Sequence, residues 1–515
     1  MTQHDRTREL GTKPIGALLM QYAVPAIIAM TASSLYNMVD SIFIGQGVGA
    51  MAIAGLAITF PLMNLSAAFG AMVGVGTATM ISVRLGQKNR EQAQLFFGNS
   101  LTLNVIMGVV FMAAVLAFLD PILHFFGASS LTLPYAREYM EWILYGNVFT
   151  HLYFGLNAVL RSAGHPRTAM AATILTVALN TALDPVFIYG FGMGIKGAAI
   201  ATVLSQCVSL TWQLWIFSRP TEVVFLRRDT LALRRHIVGG ILSIGLSPFL
   251  MNACSCLVVL LINRGMVEYG GDLAVGAYGI DNRVLFLFAM IVMGFNQGMQ
   301  PIAGYNYGAQ HHDRVREVLW RTIGYATVVM TVGFVLCEIF AEFIIRAFTK
   351  DLGLIRMAAH GMRIDVALFP VIGFQMVTGN FFQSIGQAGK SIYLSLTRQL
   401  LFLVPALLLL PPMMPALGLP ELDGVWLSLP VSDGLAALNA AVLLYWQIRE
   451  FQGRPVNFSP FHRFNLLRLP RRIHYFAVNR VAPYIPLFSL FQHEDKENEI
   501  AEQRNNDITD TPIQK

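Results

Sequence analysis

Charged residues are scarce in this chain: 13% of its 515 residues are Asp, Glu, Lys or Arg, whereas 55% are hydrophobic. Soluble globular domains contain about a quarter charged residues, so an ordinary soluble protein is excluded. The net charge of +6 belongs mostly to loops and the C-terminal tail. It therefore indicates membrane topology and contact with anionic lipid, and not nucleic-acid binding.

Motifs for metal, thiol and ATP chemistry are also lacking. The four cysteines lie in apolar stretches, at Cys207, Cys254, Cys256 and Cys337. The C-x-C spacing of Cys254 and Cys256 is neither the usual zinc spacing nor that of a thioredoxin-type motif, so we expect the cysteines to pack as apolar groups. The sequence contains no Walker A loop, metal-ligand cluster or serine nucleophile elbow. These absences argue against an ATP-driven pump and against an enzyme, and no cofactor is predicted.

Apolar residues gather in runs of about 20 to 30, the length at which a helix crosses a bilayer. Most basic residues fall in alternate loops, as the positive-inside rule requires, which predicts that both termini are cytoplasmic. The pattern predicts an all-α polytopic membrane protein with twelve transmembrane helices, at 15–44, 50–83, 93–119, 136–160, 168–190, 196–218, 239–266, 273–303, 317–346, 357–384, 391–412 and 424–448.

The two halves of the chain resemble each other at an offset of about 222 residues. AIAGLAI at 52–58 matches AVGAYGI at 274–280, and RSAG at 161–164 matches QSIG at 383–386. Six spans per repeat give both halves the same orientation. We therefore expect two pseudo-two-fold-related six-helix lobes around a central cavity.

These features predict the domain organisation. The basic aromatic segment after the last span could lie on anionic headgroups, or it could be a cytoplasmic tail without a lipid role. The predicted divisions are a cytoplasmic N-terminus at 1–14, an N-lobe at 15–218, a basic cytoplasmic linker at 219–238, a C-lobe at 239–450, a basic aromatic membrane-proximal tail at 451–493 and a disordered acidic tail at 494–515.

The first span carries two residues that a simple membrane anchor does not need. Pro25 removes a backbone donor inside the helix and favours a kink. Asp40 is a carboxylate near the far end of the span, where an uncompensated charge costs about 3 kcal/mol. We expect the other helices to give Asp40 a polar cavity, in which its protonation or ion occupancy moves the protein.

Three further polar side chains reach a depth similar to that of Asp40. Asn180 and Asp184 share a helix face, and at ~1.5 Å per residue they lie ~20 and ~26 Å from the inner boundary. By the same rise, Thr202 lies ~9 Å from the outer boundary. Two close carboxylates in a low dielectric do not both ionise comfortably, so the pair is predicted to take up a proton or a monovalent cation. The alternative is that Asp184 stabilises a helix kinked at Pro185 and Asp40 extends to the interface.

Ionisable residues also occur in the apolar spans of the second half. Asp281 and Arg283 are two residues apart and do not share a helix face, and the same holds for Arg363 and Asp365. Packing or interfacial roles explain these residues at least as well as functional ones. The repeat places Asn263 where the first half has its first-span carboxylate, which favours the first half as the ion-binding lobe.

Methionine and aromatic residues are plentiful, with 24 Met, 35 Phe and 16 Tyr. Tyr36, Met63 and Met299 could form an adaptable cavity surface for flat, apolar cations. The alternative is that these side chains, like most Met and Phe residues here, face lipid or the protein core.

Four stretches carry a family resemblance: VPAIIAMTASSLYNMVDSIFIGQ, GVGTATMISVRLGQKNREQAQ, LRSAGHPRTAM and LNTALDPVFIYGFGMGIKGAAIAT. They are similar to the multidrug and toxic compound extrusion (MATE) family, in its bacterial branch of DNA-damage-inducible F-like proteins. The resemblance covers about residues 10–450. It implies twelve helices in two lobes, V-shaped around a cavity, and efflux of organic cations and drugs in exchange for H⁺ or Na⁺.

The resemblance also implies roles for individual residues. Another branch places coupling acids in the seventh and tenth helices, but the seventh span here has no acid before Glu268. The tail after Arg454 is not part of the family pattern. The implied positions are an ion-coupling site of Asp40, Asn180, Asp184 and Thr202, which would also ligate Na⁺ in a sodium-coupled protein, a supporting network at Tyr139 and Asn157, and a bend point at Pro25.

Together these features predict a secondary antiporter of the bacterial cytoplasmic (inner) membrane that exports hydrophobic or cationic organic compounds. A lipid-linked precursor flippase of the same architecture is the alternative, although the first-half spans contain few basic residues that could bind pyrophosphate. The repeat and the intramembrane acids disfavour a membrane receptor or scaffold. The expected partners are small organic cations and the lipid bilayer, and we expect a monomer.

Overall fold

The computed structural model describes residues 9–452, which are almost entirely helical. The predictions for the two tail segments fall on residues 453–515, outside the described part. The helices are α1 (Ile15–Gly47), α2 (Ala50–Gly86), α3 (Arg90–Ala117), α4 (Leu119–Phe125), α5 (Leu133–Tyr145), α6 (Asn147–Ser162), α7 (Pro166–Pro185), α8 (Gly194–Phe217), α9 (Arg235–Gly271), α10 (Leu273–Gly308), α11 (His312–Arg346), α12 (Leu352–Asp365), α13 (Phe369–Ser384), α14 (Ala388–Leu396), α15 (Val404–Met413) and α16 (Glu421–Phe451).

The predicted all-α membrane architecture is confirmed. Within residues 9–452, eleven helical segments are long and apolar enough to cross a membrane. The fourth predicted span accounts for the twelfth, and it consists of two shorter helices, α5 and α6, that meet at Gly146. A Cβ atom at Gly146 would lie 2.4 Å from the side chain of Val203. The absence of a side chain at this junction therefore lets α8 approach closely.

Several spans are interrupted where the sequence gives a local reason. Gly271 has φ 68°, a backbone conformation that favours glycine, and it separates α9 from α10. The helix of α7 continues after Pro185 into a π-helical turn at Val186–Gly190, and a second π-helical segment, Thr397–Leu403, joins α14 to α15. Such widened turns often occur at functional positions.

The two halves meet along a seam in which α2 packs against α9 and α10, and α1 packs against α10. The helices touch at backbone level: a Cβ atom on Gly245 would lie 1.8 Å from the carbonyl oxygen of Met72, and one on Gly86 would lie 2.0 Å from that of Tyr305. These contacts lie toward the ends of α2, α9 and α10 that carry the basic loops, near Arg84. The cleft between the halves is therefore closed at that end.

The segment that connects the two halves is held against α3. The Asn99 amide donates to the carbonyl oxygens of Thr230 (3.0 Å) and Ala232 (3.1 Å) and accepts from the backbone N–H of Arg234 (2.7 Å). The Gln94 side chain likewise exchanges hydrogen bonds with the backbone of Phe225. This segment is thus a fixed part of the first half.

Candidate ion and substrate sites

Three helices bring the predicted ion-coupling residues together. α1 packs along α7, which places Asp40 beside Asp184, and α8 contributes Thr202, which accepts a hydrogen bond from Asn180. Asp184 precedes Pro185, where the helix changes to its π-helical turn. Asn180 and Asp184 lie on one face of α7, within hydrogen-bonding distance of each other.

The geometry of the four residues is compact. The amide nitrogen of Asn180 donates to Thr202 Oγ1 (3.1 Å) and reaches Asp184 Oδ1 at 3.3 Å. The carboxyl groups of Asp40 and Asp184 lie within hydrogen-bonding reach of each other. Asp184 is fully buried and Asp40 is 4% exposed. Among the described side chains, neither carboxylate has a basic partner.

Three buried oxygen atoms at this site have no hydrogen-bond partner among the described side chains: Asp40 Oδ1, Asp184 Oδ2 and Asn180 Oδ1. Buried polar atoms are almost always hydrogen-bonded. Asn180 and Thr202 also line a cavity of about 20 Å³, enough for one water molecule or one small ion. The arrangement can therefore take up a proton between the carboxyl groups or a monovalent cation among oxygen ligands.

The other residues predicted from the family resemblance occupy different positions. Tyr139 is buried beside Thr202. Asn157 lies elsewhere: it donates to the carbonyl oxygen of Ala169 (3.0 Å) and accepts a hydrogen bond from Arg161. Pro25 lies inside α1, which continues through it as a helix.

A much larger cavity, of about 600 Å³, lies between the halves. Its wall combines methionine and phenylalanine with many amide side chains, among them Asn296, Gln297, Gln300, Gln375 and Asn380. The residues come from α1, α2 and α6 in the first half and from helices throughout the second half. The sequence analysis did not predict this amide-rich lining, although Asn and Gln are frequent in two of the apolar spans and could have indicated it.

The three residues predicted for the substrate cavity are not among the residues that line it. Tyr36 instead lines the 20 Å³ cavity next to the ion-coupling residues. Met63 packs against the hydrophobic core of the first half, and Met299 is fully buried.

Near the large cavity, charged residues of the second half are paired across helices. Arg398 Nε, in the π-helical segment, donates to Asp433 Oδ1 of α16 at 2.6 Å. Asp365 interacts electrostatically with both residues, and Asp281 interacts with Asp365. Arg283 is exposed.

Two staphylococcal proteins with similar sequences are named as multidrug export proteins. Over 438 residues the chain is 26% identical to the "Multidrug export protein MepA" of Staphylococcus aureus, covering 84% of this chain and 94% of that protein. The protein of the same name from Staphylococcus saprophyticus is 25% identical, with 83% and 93% covered.

Solved structures and a family model also match this chain. The "MATE multidrug transporter DinF-BH in complex with R6G" is 35% identical, with a TM-score of 0.79 over 86% of this chain and 97% of that chain. A "MATE in the bent conformation" superimposes with a TM-score of 0.81 at 25% identity, over 87% and 98%. The family model MatE matches residues 25–186 and 244–408, more than half of the chain. Members of this family are transporters and not enzymes, and this chain belongs to the MatE family.

Proposed function

We propose that this protein is a secondary active multidrug efflux antiporter that exports hydrophobic or cationic organic compounds in exchange for H⁺ or Na⁺. The observation that carries the proposal is the buried contact between Asp40 and Asp184. Two like charges about 4 Å apart repel by about 4 kcal/mol at an effective dielectric constant of 20. As long as the two side chains stay in contact, the pair therefore requires either a proton on one carboxyl group or a cation bound between them.

We propose that the exchange ion and the transported compound bind in alternate steps of one transport cycle. The cleft is closed at the end that carries the basic loops, so with that end in the cytoplasm this conformation is open to the outside. A proton or Na⁺ reaching Asp40 and Asp184 from outside then compensates the acid pair and holds α1 against α7. We propose that α1 bends near Pro25 and that the central cavity loses affinity for its substrate.

The lining of the large cavity supports organic substrates. Thioether and aromatic groups such as Met251, Met293 and Phe286 suit flat apolar bodies. The relatives named as multidrug exporters, and the relative solved with R6G, favour the same class. We further propose that the protein acts as a monomer in the bacterial inner membrane, with both termini cytoplasmic.

A lipid-linked precursor flippase fits this lining less well. Two basic residues, Arg161 and Arg398, are among its lining residues, and two carboxylates, Asp365 and Asp433, lie there with them. Because Arg398 is paired with Asp433, little positive charge is left for a pyrophosphate group.

The proposal is tested by ethidium efflux from proteoliposomes under a proton gradient or a sodium gradient, imposed separately. Wild-type efflux should follow one gradient. Asp40→Asn and Asp184→Asn should abolish this dependence, because an amide neither takes up a proton nor supplies a charged ligand.

Asp120→Asn is the matched control, since it makes the same chemical change at a surface carboxylate paired with Arg137. It should transport like the wild type. Gradient-driven efflux in both Asp40→Asn and Asp184→Asn would refute the proposal.

A further inference from the structure

We propose that the second half of the large cavity anchors the positive charge of the transported compound, and that Asp365 is the carboxylate that pairs with it. This inference rests on the proposed export of organic cations and adds the residue that recognises them. It concerns a site separate from the acid pair formed by Asp40 and Asp184.

The charges around Asp365 do not balance. Three carboxylates, Asp281, Asp365 and Asp433, lie near a single guanidinium, that of Arg398. Arg398 is committed to Asp433 through a 2.6 Å hydrogen bond. A surplus of buried negative charge is stable only when a proton or a cation compensates it.

The surplus charge is accessible from the cavity. Asp365, Asp433, Arg398 and Tyr278 all line it, whereas Asp281 is fully buried, and neither of its carboxylate oxygens has a hydrogen-bond partner in the described part of the chain. Asp365 lies thirteen residues into the span Leu352–Ser384, roughly 20 Å from the start of that span at ~1.5 Å per residue. The anchor thus lies near the middle of the membrane.

Unpartnered amides in the same wall provide independent support. Asn296 is 3% exposed and lines the cavity, yet within residues 9–452 neither its oxygen nor its nitrogen finds a hydrogen-bond partner. Among the same residues, the Oε1 atoms of Gln375 and Gln399, which also line the cavity, lack partners. Because buried polar groups are normally satisfied, these amides indicate a polar guest. Their carbonyl oxygens add partial negative charge to that of Asp365.

The backbone is irregular where the charged groups reach the cavity. Asp365 ends α12, and a 3₁₀ turn at Val366–Leu368 separates it from α13. Arg398 lies in the π-helical segment Thr397–Leu403. Irregular backbone at membrane depth is tolerated where it lines a cavity or is buried in protein, and such segments often occur at functional sites.

Asp433 has a distinct task in this arrangement. Its ion pair neutralises Arg398, whose guanidinium would otherwise repel a cation bound at Asp365 or pair with Asp365 itself. Asp433 is therefore a positioning residue, and its loss should weaken cation binding even though Asp365 is intact.

The test is ethidium binding to the purified full-length protein, followed by fluorescence at fixed pH. Asp365→Asn should raise the Kd by about 10- to 100-fold, the range expected for a lost charge-assisted contact. Asp433→Asn should raise it as well, and Asp365→Glu should restore much of the affinity. Glu338→Gln, which neutralises an exposed carboxylate on α11, is the control and should bind like the wild type.

A wild-type Kd in Asp365→Asn, with wild-type export intact, would overturn the inference and leave the proposed function standing. An equal loss of affinity in Glu338→Gln would also overturn it. Absence of both ethidium binding and ethidium export in the wild type would overturn the proposed function and the inference with it.

Should Asp365→Asn fail to fold, photolabelling of the wild type with ethidium azide replaces it. Labelled peptides from α12 to α16 would support the inference. Labelling confined to first-half helices would overturn it.

Discussion

A side-chain methyl group at Gly245 should destabilise the closed seam between the two halves. A Cβ atom there would lie 1.8 Å from the carbonyl oxygen of Met72, so α9 and α2 must separate by about 1.5 Å to reach ordinary van der Waals contact. Overpacking of this kind typically costs about 1–3 kcal/mol. Since only the conformation with a closed seam bears this cost, Gly245→Ala should reduce its population relative to the open seam by about 5- to 150-fold.

Spin labels at Glu91→Cys and Asp313→Cys, in a background without the native cysteines, report the separation. Both side chains are exposed, in the first turns of α3 and α11 at the closed end. Pulsed dipolar spectroscopy should show a longer distance component in Gly245→Ala, and transport should fall with it.

Gly239→Ala is the matched control for this variant. It lies in the same helix, six residues earlier, and a Cβ atom there meets nothing within 4 Å. Both substitutions raise helix propensity by a similar amount, so only the contact differs. Identical distance distributions for Gly245→Ala and Gly239→Ala would refute the reasoning.

Two other structural contacts lead to predictions. Asn99→Ala removes three hydrogen bonds to the connecting segment, so trypsin should cleave that segment at least several times faster than in Thr102→Ala, which loses one; equal rates would contradict this. Arg314 donates to the carbonyl oxygens of Leu10 (3.2 Å) and Lys13 (2.7 Å), so Arg314→Ala should speed amide exchange in residues 9–14, and unchanged exchange would contradict the assigned contact.

Helix positions could be predicted from the sequence because membrane spans are long and uniformly apolar. The interruptions inside spans could not be predicted in this way, since nothing in the hydropathy of the fourth span reveals that Gly146 divides it. Gly146 meets the side chain of Val203, which belongs to a different helix.

The acid pair could be predicted for a similar reason. Helical rise gives the depth of a residue directly, and the spacing of Asn180 and Asp184 gives their shared face. Depth alone does not give the direction in which a helix face points. The packing of α1 along α7 supplies that direction and brings Asp40 into contact with Asp184.

The substrate cavity could not be predicted in the same way. In a membrane protein both the lipid-facing and the core-facing sides of a helix are apolar, so hydrophobic periodicity does not distinguish Met299, which is buried, from Met293, which lines the cavity. The pairing of Arg398 with Asp433 joins two different spans. A search for partners along one helix does not find such a pair.

The most direct test of the account is the ion flux that accompanies substrate movement. In proteoliposomes with an ethidium gradient and no imposed ion gradient, fluorescent reporters of lumenal pH and Na⁺ should show one ion moving opposite to ethidium in the wild type. The double variant Asp40→Asn/Asp184→Asn should show no such counterflow. Counterflow of the same size in the double variant would contradict the assignment of ion coupling to these two residues.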